Sequence, residues 1–332
     1  MSVATPWILR ALVLALLAAA PFAISDFRLF LLTEILIFGL VAASLGLLVG
    51  FTGLLSLGHA AYYGVGGYTA ALVAMRVTEN GPAALALAVL ATALVAAGTG
   101  WLAVRTRGVF FLMLTLAFAQ LLFVLALTWE PVTGGSNGLS GIPRTGLVPG
   151  DEGDTLASET NFYYYVLVAF LLGYVLLRRV GTSPFGRALV GIRENEARMR
   201  AVGYPVVRYK LASFCIAGAV AGYAGALFVQ NTRFISPSNV SFEVSAFALI
   251  AVILGGVGTL YGPVLGAALV ILLREELSSG FQEDWRLALG VIFVLFVYLV
   301  PRGFAGVPAT IRKTFEVSPL GRRLGWTERV GS

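Results

Sequence analysis

The residues that could carry chemistry in this chain are few, and most of them stand alone. His59 is the sole histidine and Cys215 the sole cysteine, so the several nitrogen or sulfur ligands of a zinc site are missing. The two lysines, Lys210 and Lys313, do not follow a glycine as the phosphate-binding GxxxxGK[ST] motif requires. Ser56 lies near His59 without an acid to orient it. The sequence therefore predicts no catalytic site, no metal and no cofactor bound by this chain.

Ionisable side chains inside apolar segments are typical of ion-coupled transporters, and this sequence has few of them. Glu34 lies about two turns into one apolar run, and Glu243 opens another. We interpret both as interfacial residues, with a role as ligands of a coupling ion as the alternative. This scarcity of buried charge indicates that any work done by the chain is driven by another protein.

The composition indicates that the protein is surrounded mainly by a lipid bilayer. Of its 332 residues, 58% are hydrophobic and 12% are charged, about half the charged fraction of a soluble domain. The net charge of +6 comes from basic residues in short loops between apolar runs, which is typical of cytoplasmic loops and not of a nucleic-acid-binding surface. We predict an all-α polytopic membrane protein with one transmembrane domain, residues 1–306, and a cytoplasmic tail, residues 307–332.

Apolar runs long enough to cross about 30 Å of hydrocarbon recur along the chain. With a broken, re-entrant pair counted as two, about ten membrane segments are expected. The runs are 7–24, 29–49, 56–75, 83–104, 109–128, 162–178, 211–230, 244–274 and 286–301. The first run also resembles a signal peptide, and a membrane helix is the favoured interpretation of the two.

Two hydrophilic loops predict the topology. Residues 129–161 carry five acidic side chains and one arginine, whereas residues 179–210 carry seven basic side chains and two acidic ones. The positive-inside rule makes the second loop cytoplasmic and the first external. The basic tail is then cytoplasmic, as is the N-terminus. With these sides assigned, the run 244–274 must begin and end on the external side and so cannot be a single crossing. It must turn back within LGGVGTLYGP, Leu254–Pro263, where glycine and proline suit a broken helix.

A second glycine-rich interruption, GFTGLLSLGHAAYYGVGGYTAAL, occupies Gly50–Leu72. Two interrupted segments in corresponding halves indicate a transport path, although such glycines can also serve only close packing between helices. His59 is expected to make a hydrogen bond between helices. The path hypothesis takes in Ser56, Gly58, His59, Tyr62, Tyr63, Gly66, Gly255, Gly256, Gly258 and Tyr261.

Between two apolar runs lies a short segment dense in charge, SPFGRALVGIRENEARMRAVGYP. Ser183 and Pro184 suit a helix start and Gly203 suits its end, so one amphipathic helix is predicted. Its apolar stripe consists of Phe185, Leu189 and Ile192. Its i,i+4 ion pairs are expected between Glu194 and Arg198 and between Glu196 and Arg200. Such a helix can lie on anionic lipid or in a groove of a protein partner, and its mixed charge favours the protein.

Taken together, these segments resemble the permease subunits of branched-chain amino acid ABC importers. The resemblance rests on GIRENEARMRAVGYPVVRYKLASFCIAGAVAGYAGALF, TGLLSLGHAAYYGVGGYTAAL, VFFLMLTLAFAQ, TGGSNGL, FALIAVILGGVGTLYGPVLGAAL and PRGFAGV. It covers about residues 30–306 and is closer to the M-type than to the H-type chain of that family. Urea importers share much of the pattern, so a urea or other small-solute importer remains an alternative, as does an ion-coupled secondary transporter.

The resemblance implies an assembly in the bacterial cytoplasmic (inner) membrane. A second homologous permease subunit, two cytoplasmic ATPases that use ATP, and an extracytoplasmic substrate-binding protein would be the partners, within the lipid bilayer. Arg187–Gly203 would be the coupling helix, seated on one ATPase. The ATPase-coupling residues would be Arg187, Leu189, Ile192, Arg193, Glu194, Asn195, Glu196, Arg198 and Met199.

Overall fold

A computed structural model describes residues 5–147, 155–280, 285–299 and 303. The described part is helical throughout, with no strand and two isolated backbone bridges. The predicted tail, residues 307–332, and residues 148–154 of the 129–161 loop lie outside these ranges. The helices are α1 (Thr5–Ala23), α2 (Asp26–Leu47), α3 (His59–Arg76), α4 (Gly81–Ala103), α5 (Val109–Thr128), α6 (Glu130–Thr133), α7 (Glu159–Thr182), α8 (Pro184–Glu194), α9 (Glu196–Ala201), α10 (Val206–Thr232), α11 (Phe242–Gly255), α12 (Tyr261–Gly280) and α13 (Trp285–Leu299).

Five helices in the described part are long and apolar enough to cross a membrane. They are α2 extended by the π-helical turn Leu48–Thr52, α4, α5, α7 and α10. Shorter apolar helices occupy Ala11–Ala23, Phe242–Gly255 and Arg286–Phe296. The all-helical membrane fold is thus confirmed, and five of the predicted crossings meet the length and composition of a full span.

Helix α2 forms the centre of the molecule. It is apolar on every side, and Leu40, Val41 and Leu45 are fully buried. A helix that is hydrophobic all round belongs in a core or a bilayer, and α2 is surrounded by α7, α10, α11 and α12. By contrast α5 exposes large apolar side chains such as Phe110 and Leu121. The chain therefore offers lipid or another subunit a broad apolar surface.

Glycines bring α3 and α10 into backbone contact. A Cβ atom at Gly66 would overlap the carbonyl oxygen of Gly222, and one at Gly225 would overlap that of Tyr63. A Cβ at Gly67 would lie 3.2 Å from the Gly225 carbonyl oxygen. In the part of the first interruption that lies in α3, these glycines therefore serve close packing between membrane helices.

The predicted turn within Leu254–Pro263 is confirmed. Helix α11 ends at Gly255 and α12 begins at Tyr261, and between them Gly256 and Gly258 both have φ +101°, which favours glycine. A Cβ at Gly50 would lie 2.9 Å from the Gly258 nitrogen. Since Gly50 is at the end of α2, α11 and α12 form a helical hairpin whose turn reaches that end.

The predicted single helix between Ser183 and Gly203 is two helices. Ser183 Oγ accepts a hydrogen bond from Gly186 N at 3.2 Å, so the predicted start is confirmed. Asn195 is extended, with φ −154° and ψ 94°, and its side chain accepts from Arg198 N at 2.9 Å. Asparagine competes with the helical backbone and caps the next helix well, so it separates α8 from α9.

Candidate functional site

Helices α8 and α9, with the π-helical turn Leu48–Thr52 and the α11–α12 turn, form what we call the α8–α9 end. The apolar stripe of α8 faces the chain itself, since Leu189 and Ile192 are buried and Phe185 stacks on Tyr209 with ring centroids 5.2 Å apart. The sequence had assigned this stripe to a partner's groove, and the structure shows it already covered. The stripe therefore positions α8, and its charged face is left for contact.

Glu196 joins α9 to α10 and to the α4–α5 turn. Its carboxylate accepts from Lys210 Nζ at 2.8 Å, from Arg200 at 2.6 Å and from Arg107 at 3.1 Å. Arg107 lies in the α4–α5 turn and Lys210 in α10, so the predicted Glu196–Arg200 pair is confirmed as one arm of a larger cluster. The Lys210 side chain is only 6% exposed, and a buried ammonium without its carboxylate would be costly.

The cluster also changes the acidity of Glu196. Burial alone would raise the pKa of this carboxyl, but the hydrogen bond and charge of Lys210, then Arg107 and Arg200, outweigh burial and lower the pKa below its ordinary value. The carboxylate is therefore ionised at neutral pH, which keeps all three ion pairs formed.

The predicted pair between Glu194 and Arg198 is not formed, because Asn195 interrupts the helix between them. Among the described residues no ion pair joins the two, and both side chains are exposed. Arg187 and Asn195 are exposed as well, while Met199 is half-buried and would contact a Cβ at Gly191. These exposed groups form the charged face of α8 and α9.

Arg193 connects α8 to both glycine-rich interruptions. Its guanidinium donates to the carbonyl oxygen of Gly50, and its Cγ would be 2.8 Å from a Cβ at Gly53, whose φ is +71°. Gly50 in turn lies against Gly258 of the α11–α12 turn. The two interruptions that the sequence paired therefore meet at one point, and that point is next to α8.

The remaining path candidates of the first interruption are buried around the start of α3. Ser56 Oγ accepts from Gly58 N at 3.2 Å, and the Tyr62 hydroxyl is 2.8 Å from Thr99 Oγ1. His59 is fully buried, yet neither ring nitrogen has a hydrogen-bond partner among the described residues. The predicted hydrogen bond of His59 between helices was wrong. Its ring instead meets Tyr62 edge-on, with centroids 6.1 Å apart.

The two segments that contain the interruptions, around α3 and α11, also contact each other away from Gly50. Ala60 N donates to Ser245 Oγ at 2.9 Å, which joins the start of α3 to α11. In the second interruption Gly255 packs against Gly262, so that no side chain fits between α11 and α12. Tyr261 is half-exposed at the start of α12. Of the predicted path residues, Tyr63 alone lines the cavity described next.

Sequence reasoning missed an ion pair at the other end of α2. Glu34 Oε1 lies 2.7 Å from Arg274 Nη2 of α12, beside a cavity that Tyr63 also lines. In the sequence, Arg274 lies at the end of a predicted apolar run. No local pattern indicated that it would pair with Glu34, which is 240 residues away. Glu243 pairs with Arg286 at 3.0 Å and is 43% exposed, which agrees with its interpretation as interfacial.

A chain whose described part is helical, with five helices there long and apolar enough to cross a bilayer, is an integral membrane protein. The family model described as branched-chain amino acid transport system / permease component matches residues 27–300. The chain belongs to this family, as the sequence resemblance predicted. It is thus related to the permease component of an ABC transport system and not to an ATPase.

Two curated relatives carry the same assignment. The chain is 34% identical over 310 residues to the high-affinity branched-chain amino acid transport system permease protein LivM of Salmonella typhimurium strain LT2, covering 87% of this chain and 72% of that protein. It is 25% identical over 285 residues to LivH of Escherichia coli K12, covering 82% and 92%. The greater likeness to LivM agrees with the expected M-type. No solved structure matches the chain at a significant level.

A partial match also reaches a permease named for another substrate. The ribose import permease protein RbsC of Bacillus subtilis is 29% identical over 145 residues, which is 41% of this chain and 44% of that protein. Such a partial match links the chain to another importer permease.

Proposed function

We propose that this chain is the transmembrane permease subunit of an ATP-driven importer for branched-chain amino acids. Membership of the permease family and the likeness to LivM support the substrate class. The observation that carries the mechanism is the contact of Arg193 with Gly50, which ties α8 to the junction of the two interruptions. The chain has no P-loop lysine, so its motion is driven by a partner that binds ATP.

In this proposal the chain forms half of the translocation path, and a second homologous permease forms the other half. The likeness to both LivM and LivH supports two related subunits. One of two ATPases contacts the α8–α9 end, and an extracytoplasmic binding protein delivers the substrate. The chain has about ten membrane segments in the bacterial cytoplasmic membrane, with both termini and residues 179–210 in the cytoplasm and residues 129–161 outside, because basic loops stay inside.

These contacts give a route by which movement of the ATPases reaches the membrane helices. ATP binding closes the two ATPases and displaces α8 and α9 through their charged face. The Glu196 cluster passes the displacement to α10 and to the α4–α5 turn. Arg193 passes it to Gly50 and then to Gly258. The glycines of the α11–α12 turn allow backbone rotation, so the hairpin changes its angle to α2 and opens or closes the path.

Reconstituted transport tests the substrate class. The chain, its partner permease, the two ATPases and the binding protein are placed in proteoliposomes, and uptake of labelled leucine is measured with and without ATP. We expect ATP-dependent uptake that unlabelled leucine and valine inhibit strongly, alanine weakly and urea not at all. Inhibition by urea alone would favour a urea importer. Uptake driven by a sodium or proton gradient without ATP would replace the proposal with a secondary transporter.

A pair of arginine variants tests the mechanism. Arg193→Met keeps an aliphatic stem against Gly53 and removes the donor to Gly50, so we expect ATP hydrolysis to continue while uptake falls about tenfold or more. Arg208→Met is the matched control, because Arg208 is an exposed arginine near the start of α10 and lies outside the charged face of α8 and α9. Equal uptake in the two variants would contradict the route through Gly50.

A further inference from the structure

A cavity opens between α2, α3, α10, α11 and α12, at the end of α2 opposite Gly50. Its volume is about 120 Å³, below the roughly 300–1,000 Å³ of sites for drug-sized ligands, so it suits only a small solute. Its polar lining is Glu34, Arg274 and Asn239, and its apolar lining includes Phe38, Phe247 and Val270. The cavity thus combines one negative charge, one positive charge and an apolar wall.

The Glu34–Arg274 ion pair lies inside helices α2 and α12, where an ionised side chain is unfavourable in a membrane protein. Glu34 is two turns from the start of α2 and Arg274 is under two turns from the end of α12, roughly 12 and 9 Å along their axes. The side chains of Glu34 and Arg274 are 19% and 37% exposed. Ionisable groups at such positions in membrane helices are rare and usually functional, and a partly buried ion pair is by itself weak evidence for stability.

We propose that this cavity is a transient binding site for the zwitterionic head group of the substrate, an inference that rests on the proposed function. The substrate ammonium replaces Arg274 at the Glu34 carboxylate. The substrate carboxylate takes the Arg274 guanidinium, which binds carboxylates through two parallel donors. The aliphatic side chain then lies against the apolar wall, where no counter-charge is required.

The same geometry explains why such a site is weak and selective. When the cavity is empty, Glu34 and Arg274 neutralise each other at 2.7 Å, so a substrate must displace an existing ion pair. A zwitterion restores both ionic contacts, whereas a lone amine or a lone carboxylate restores one and leaves the other charge unpaired, which is costly. Neutral urea restores neither. Weak binding suits a permease, which must release what it receives.

Ligand discrimination tests the site. Binding to the solubilised permease–ATPase complex, without the binding protein, is titrated by saturation-transfer NMR with leucine, 3-methylbutan-1-amine and 4-methyl-2-oxopentanoate. In the unmodified complex we expect leucine to bind about tenfold more tightly than either analogue. Glu34→Gln should abolish the advantage of leucine over the keto acid, and Arg274→Gln its advantage over the amine. Glu243→Gln is the matched control, since it removes an exposed ion pair that does not line the cavity.

The outcomes separate this site from the proposed function. If both variants keep the tenfold preference for leucine, or lose affinity for all three ligands equally, the ion pair serves structure and the inference fails. Should either variant fail to assemble, Glu34→Asp and Arg274→Lys retain the charges, and the preference for leucine must then fall in both for the inference to hold. ATP-driven leucine uptake by the unmodified importer is measured first, and its absence would reject the proposed function itself.

Discussion

The α3–α10 contact and the α8–α9 end are held together by opposite means. In the first, glycines bring two backbones together without a charged group, and Gly66 and Gly225 leave no space for even a methyl group. In the second, α9 is held by the ion pairs of Glu196 with Arg107, Arg200 and Lys210. Backbone packing of this kind cannot shift without a clash, whereas ion pairs can slide and re-form.

This difference has a consequence for how the chain moves. A protein that transmits movement from one partner to its membrane helices needs one part that keeps its shape and one part that is displaced. The α3–α10 contact keeps its shape because interiors packed this closely have discrete arrangements. In the proposed mechanism, a partner displaces the charged face of α8 and α9, which is largely exposed. The predictions below test the contrast through free energy of unfolding, from the largest loss to the smallest.

The largest loss is expected at the α3–α10 contact. Gly225→Val places a branched side chain where a single Cβ already overlaps the Tyr63 carbonyl, so α3 and α10 must separate, at a cost above about 3 kcal/mol. We expect no monodisperse protein in size-exclusion chromatography. Gly98→Val on α4 is the control, because nothing lies within 4 Å of a Cβ there. Recovery of both variants in equal amounts would refute the rigid contact.

The Glu196 cluster is expected to give an intermediate loss. Glu196→Ala leaves Lys210 buried without a counter-charge and frees Arg107 and Arg200, so we expect destabilisation of about 2 kcal/mol. Thermal unfolding in detergent measures it. In Lys210→Met with Glu196→Leu, both buried charges are removed together, and much of the stability should return. A double variant as unstable as Glu196→Ala would argue against an ionic origin.

The cluster also predicts a pH dependence. Because the pKa of Glu196 is lowered in the folded protein, its contribution is complete above the ordinary glutamate pKa. That contribution is lost as pH falls through the lowered value. The melting temperature of the unmodified protein should therefore drop more steeply below the ordinary pKa than that of Glu196→Gln. Parallel curves for the two proteins would show that the cluster is not linked to protonation.

The smallest loss is expected on the exposed face. Glu194→Lys and Arg198→Glu break no ion pair within the described residues, so the free energy of unfolding should change by less than about 0.5 kcal/mol. Because the proposed function has an ATPase dock on this face, reversal of charge there should nevertheless uncouple ATP hydrolysis from uptake in the reconstituted importer. Unchanged coupling in both variants would move the docking surface elsewhere.

The sequence predicted most of the fold because hydrophobic length is a local property. The spans 29–49, 83–104, 109–128, 162–178 and 211–230 correspond to α2, α4, α5, α7 and α10. Charge parity alone predicted that the run 244–274 turns back, and the turn lies within the predicted ten residues. The break at Asn195 could have been foreseen from its capping ability, but the i,i+4 charge pattern across it favoured one helix.

By itself, the sequence determined the solvent, the approximate crossings, the absence of a P-loop lysine and the family of this protein. Each of these is set by composition or by residues close together along the chain. The tertiary structure alone decided that Gly50, Arg193 and Gly258 meet, that Glu196 binds Lys210, and that Glu34 faces Arg274. Such contacts join distant segments through helix packing, and no local pattern of hydrophobicity or charge specifies which distant residue completes them.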